Sequence, residues 1–128
     1  MPISDLLIAV VDDELPVRTA LARILRLADY RVATYATGEA FLGSLDTRLP
    51  ACAVVDVHMP GLSGLDIGAR LLATVPRVPI VLITGSDDRA LDRQAVAAGA
   101  VCLLRKPFPG DDLLAALHVA VGARSAAT

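Results

Sequence analysis

Two rhythms alternate along the chain. Short runs rich in Val, Ile and Leu recur as LLIAVV (6–11), RVATY (31–35), ACAVV (51–55), PIVLIT (79–84) and VCLLR (101–105). Four of these are nearly continuous in apolar character, the pattern of a strand covered on both faces. The second carries Arg31 and Thr34 and suits a sheet edge. Between the runs lie stretches of helical period. In ELPVRTALARILRLADY, Val17, Leu21, Ile24, Leu25 and Ala28 share one stripe, and Arg18, Arg23 and Arg26 fall mostly away from it. Pro16 fits the first turn, where its missing N–H is not needed. Thr37 predicts an N-cap for GEAFLGSL, and Ser63 with Asp66 predicts a capping box ahead of GLDIGARLLATV. The helix DDRALDRQAVAAG is expected to follow Ser86 and stop at Gly99, a C′ glycine, and DDLLAALHVAVGA to open just after Pro109 and Gly110. Five strands alternating with five helices predict an α/β fold: a doubly wound parallel sheet with right-handed crossovers and helices on both faces.

Ligands in such sheets sit at the carboxyl ends of the strands, where strand order reverses. The chain places polar groups there. Asp12, Asp13 and Glu14 follow the first strand, Asp56 the third, Thr84 closes the fourth and Lys106 the fifth. Gathered carboxylates raise one another's pKa unless a cation holds them ionised. Oxygen ligands without clustered Cys or His suit a hard cation such as Mg²⁺. Lys106 adds a compact positive charge. A carboxylate, a divalent ion, a lysine and a hydroxyl together make a phosphoryl-transfer site, with Asp56, alone at its strand end, as nucleophile. Singly, each residue has a plainer reading. The acid pair can cap the first helix, Thr84 can be an ordinary strand residue, and Lys106 a solvated surface charge. Those plain readings must all hold together at one end of one sheet.

Composition narrows the field further. The 128 residues are 55% hydrophobic and 20% charged, enough for a single folded domain with its own core rather than a disordered chain. A net charge of −2, with no basic run, argues against nucleic-acid or membrane binding by this domain. No signal or transmembrane pattern appears, so the expected location is cytoplasmic. Cys52 and Cys102 fit neither a disulfide framework nor a zinc site and read as buried thiols.

Taken in order, VVDDE, VVDVHMPGLSG, LITGSDD, AAGA and RKPF resemble the receiver domain of two-component response regulators over about residues 4–122. The resemblance implies a flavodoxin-like (βα)5 fold with strand order 2-1-3-4-5. It implies one receiver domain spanning 1–128, with no effector domain in this chain. Asp56 would accept a phosphoryl group from a sensor histidine kinase or phosphotransfer protein, and the domain would turn over only its own phosphoryl group. Asp13 and Asp56 would ligate Mg²⁺ directly, Asp12 through a bound water, with the backbone carbonyl of His58 completing the protein ligands. Thr84 would turn its hydroxyl to the phosphoryl group, Lys106 would pair with it, and the Lys106–Pro107 bond would be cis. A homodimer through the face of the fourth helix, fifth strand and fifth helix belongs to the same implication. So does a helix-turn-helix DNA-binding effector if the chain is part of a longer regulator.

One departure stands out. Receivers usually carry an aromatic residue three positions before the lysine to follow the threonine's movement, and Leu103 stands there. Two other readings remain. A receiver used only for docking or dimerisation would not need the acidic pocket. A Mg²⁺-dependent aspartyl-phosphate phosphatase would favour an acid at the position of His58, and a cap for which no segment is left.

Overall fold

The computed structural model describes residues 6–126. Five strands alternate with five helices: β1 (Leu7–Val11), α1 (Leu15–Leu27), β2 (Arg31–Tyr35), α2 (Gly38–Ser44), β3 (Cys52–Asp56), α3 (Gly64–Leu71), β4 (Ile80–Thr84), α4 (Ala90–Ala97), β5 (Cys102–Arg105) and α5 (Gly110–Ala126). All neighbouring strands are parallel and the order is β2-β1-β3-β4-β5, the flavodoxin-like arrangement. β2, read as an edge from Arg31 and Thr34, is an edge.

Side chains alternate across the sheet and build two apolar layers. On one face Ala9, Val11, Ala53, Val55 and Leu82 pack with Phe41 of α2, Ile67 and Leu71 of α3, and Leu91 and Ala95 of α4. On the other, Ile8, Val10, Cys52, Val54, Val81 and Ile83 pack with Leu21 and Leu25 of α1 and Leu113 and Leu117 of α5. Every residue of β3 and β4 is buried, as their continuous apolar sequences require. The half-exposed β5 reads as a covered strand in sequence, yet it closes the second edge.

The caps explain most element ends. Thr37 Oγ1 accepts the Ala40 N–H at 3.1 Å. Ser63 and Asp66 close the expected capping box. Gly99, at φ +80°, ends α4 as expected, with its N–H on the Val96 carbonyl and the Ala100 N–H on that of Ala95. α1 ends the same way on a non-glycine residue: Asp29 takes φ 71° and the Tyr30 N–H reaches the Leu25 carbonyl. Two helices are shorter than their periodicity predicts. α3 stops at Leu71 because Thr74 turns back, its hydroxyl donating to the Leu71 carbonyl and accepting the Val78 N–H. α4 begins at Ala90 rather than just after Ser86. There Ser86 and Asp88 side chains each accept an N–H two residues ahead, which forms turns in place of helix.

Candidate functional site

The reversal of strand order between β1 and its two neighbours leaves a crevice at the carboxyl ends of the central strands. All of the candidate residues converge there, Asp13 and His58 from its exposed rim. Asp12, Asp56 and Thr84 form the buried polar or charged set among the described residues, at 0%, 4% and 0% exposure. Buried polar groups need partners, so this set marks where the fold carries a cost that packing alone does not explain.

Those partners are specific. The Lys106 ammonium lies 3.2 Å from Asp56 Oδ2 and 3.6 Å from Asp12 Oδ2. Asp56 Oδ1 accepts the His58 N–H at 2.9 Å, and Asp12 Oδ1 accepts the Glu14 N–H at 2.9 Å. The Lys106–Pro107 bond is cis. Burial pushes the Asp12 carboxyl up to about 6; the neighbouring charge of Asp56 adds to this, against the Glu14 N–H and Lys106. Burial lowers the Lys106 pKa, but the charges of Asp56 and Asp12 outweigh it and hold the ammonium above its ordinary value.

Asp12 Oδ2 is buried and has no hydrogen-bond partner. Carboxylate oxygens of Asp12, Asp13, Glu14 and Asp56 lie within 4.8 Å of one another. An orphaned buried carboxylate oxygen among hard donors is the fit expected for a divalent cation such as Mg²⁺. The plain reading of the acid pair as caps holds only for the turn: Asp12 caps the Glu14 N–H, while Glu14 itself precedes α1 without a side-chain cap. Glu14 belongs to the acidic cluster, although the motif directs attention to the pair before it.

His58 contributes more than its backbone. Its Nε2 lies 3.0 Å from Thr84 Oγ1, which also accepts the Ser86 N–H at 3.0 Å. Nothing in the sequence pairs residues 26 positions apart; the parallel neighbouring of β3 and β4 does. Leu103 packs with the apolar layer under α3 and α4, in register with Leu82. His118 is exposed on α5, away from the crevice. Cys52 is fully buried, which pushes its thiol up to about 12, and takes no part in the site.

Comparison with known proteins places this geometry in context. The family described as the response regulator receiver domain matches residues 8–118. Response regulator protein TmoT of Ectopseudomonas mendocina is 35% identical over 114 residues, 89% of this chain and 52% of that protein. Transcriptional regulatory protein FixJ of Bradyrhizobium diazoefficiens is 37% identical over 114 residues, 89% of this chain and 56% of its own length. The chain thus spans about half the length of these curated relatives. A response regulator receiver protein from Burkholderia phymatum superimposes with a TM-score of 0.82 at 35% identity, covering 91% of this chain and 95% of that one. The BeF3-activated DrrB receiver domain gives a TM-score of 0.82 at 32% identity, over 91% and 97% of the two chains.

Proposed function

The chain belongs to the receiver domain family of two-component response regulators, and from that premise we propose that it is a phosphoacceptor carrying the phosphoryl group on Asp56. The observation that carries this reading is the buried Asp56 carboxylate at the end of β3, 3.2 Å from Lys106 and beside the Asp12 oxygen that has no hydrogen-bond partner. A carboxylate oxygen of Asp56 attacks the phosphorus of a phosphohistidine. A P–O bond forms as the P–N bond breaks, and the electron pair leaves on the imidazole nitrogen. Lys106 offsets the negative charge carried in with the phosphoryl oxygens. Thr84 gives up His58 and Ser86 and donates its hydroxyl to a phosphoryl oxygen. Asp12, Asp13, Asp56 and the His58 backbone carbonyl would hold Mg²⁺, which when bound supplies charge neutralisation for the transferring group.

The donor on this reading is a sensor histidine kinase or a phosphotransfer protein, and the only phosphoryl turnover is the domain's own. The length of the curated relatives supports an output region outside this chain, and the name of FixJ supports a transcriptional one; a DNA-binding effector is the form this reading gives it. A homodimer through α4, β5 and α5 fits the same scheme, as does a cytoplasmic location. Among the described residues no helix is long and apolar enough to cross a membrane.

The test is phosphoryl incorporation from acetyl phosphate, followed by intact mass with and without Mg²⁺, beside Asp56→Asn. The expected outcome is one Mg²⁺-dependent addition that the variant lacks. A folded wild-type protein that binds Mg²⁺ yet takes no phosphoryl group would leave the docking-module reading in its place.

A further inference from the structure

Arg105 stands directly opposite Thr84 in the β4–β5 ladder, two residues beyond Leu103 on the same face of the sheet. Its guanidinium reaches over the loop that joins β4 to α4 and spends three donors there. Nε donates to the Ser86 carbonyl at 3.2 Å, Nη2 to the Asp88 carbonyl at 2.9 Å, and Nη1 to Asp92 Oδ1 on α4 at 2.9 Å. The other side of the Ser86 peptide position is tied to the switch residue, because the Ser86 N–H donates to Thr84 Oγ1 at 3.0 Å. One unbroken hydrogen-bonded path therefore runs from the Thr84 hydroxyl through Ser86 and Arg105 to Asp92.

We propose that Arg105 is the positioning residue that carries the state of Thr84 to helix α4, the task Leu103 has no polar atom to perform. The inference rests on the phosphoacceptor reading. When Thr84 turns its hydroxyl to a phosphoryl oxygen, the Ser86 N–H loses its acceptor and the Ser86 backbone is released. The Ser86 carbonyl then no longer holds Nε in place, and the fork that spans Ser86, Asp88 and Asp92 must redistribute its donors. A guanidinium is suited to this because its donors sit in one rigid plane, so releasing one contact reorients the others. Asp92 lies in the first turn of α4, so the change reaches the helix at its N-terminal end.

Amide hydrogen exchange of residues 85–97, read in the free and the acetyl-phosphate-treated protein with Mg²⁺, tests this in wild type, Arg105→Gln, Arg105→Lys and Asp92→Asn. Intact mass measures the phosphoryl addition in each. In wild type, phosphorylation is expected to change exchange both in the loop 85–89 and in α4. In Arg105→Gln the adduct forms and the loop still responds, but the α4 response is lost. Arg105→Lys keeps an ion pair with Asp92 but cannot span all three acceptors, so it also loses the α4 response. A merely structural arginine would be rescued by lysine. In the free protein, Arg105→Gln and Asp92→Asn are each expected to speed α4 exchange roughly twofold to fivefold, non-additively when combined. An α4 response of wild-type size in phosphorylated Arg105→Gln overturns the proposal and leaves the phosphoacceptor reading intact. Absence of any adduct in wild type overturns both.

Discussion

Asp12 shows how burial and chemistry are set against each other in one side chain. It is fully buried, one carboxylate oxygen lacks a hydrogen-bond partner, and its pKa rises from 3.8 to about 6. A carboxyl whose folded pKa lies above its unfolded value binds its proton more tightly when folded. Its contribution is therefore present below the unfolded pKa and lost as pH rises through the folded one. The shift from 3.8 to about 6 corresponds to on the order of 3 kcal/mol. In chelator, wild type should lose stability relative to Asp12→Asn between about pH 4 and about pH 7, by on the order of 1–3 kcal/mol. Asparagine keeps an acceptor for the Glu14 N–H, so the comparison isolates the charge. Urea unfolding of both proteins across that range decides it, and parallel curves would refute the assignment. Mg²⁺ should reverse the order at neutral pH, because a cation that binds only the folded state stabilises it.

At the scale of elements, a glycine sets how close the loop after β3 comes to the acceptor. Gly64 opens α3 with its N–H on the Val57 carbonyl at 3.0 Å. A Cβ there would lie 2.5 Å from the Asp56 carbonyl oxygen and 2.9 Å from the Val57 Cα, and backbone atoms cannot step aside as a side-chain end does. Gly64→Ala should cost about 1–3 kcal/mol, read from urea midpoints, and slow phosphoryl incorporation by shifting Asp56. Gly43 in α2 is the control: a Cβ there meets nothing within 4 Å. Gly43→Ala should leave stability unchanged or raise it by up to about 1 kcal/mol. An equal gain at both positions would mean that helix propensity, not close approach, governs Gly64.

Over the whole molecule, the two apolar layers share the central strands, so the deepest residues open only when both layers separate. Cys52 at the start of β3 is fully buried in the layer under α1 and α5, with its thiol pushed up to about 12 by burial. Cys102 sits half-buried on the edge strand β5, its thiol raised first by burial and then by Asp112. Iodoacetamide labelling followed by mass should modify Cys102 in the folded protein. Cys52 should label only at the rate and with the urea dependence of global unfolding. Comparable labelling of both without denaturant would mean that β3 is reached by a local opening instead.

The residues alone determined most of the architecture. Apolar runs, periodicity and caps are local, and they set the element order, the β2 edge, the N-caps of α2 and α3 and the glycine end of α4. Polar residues at strand ends sufficed to assemble Asp12, Asp13, Asp56, Thr84 and Lys106 as one site, since the carboxyl ends of parallel strands lie together. Tertiary structure decided what depends on neighbours distant in sequence. Asp12, rather than Asp13, is the buried member of the acid pair. His58 meets Thr84 because β3 and β4 are adjacent, and Arg105 crosses from β5 to hold the loop that shortens α4. A sequence carries the donors and acceptors of such contacts, but only the packed sheet brings them within hydrogen-bond reach.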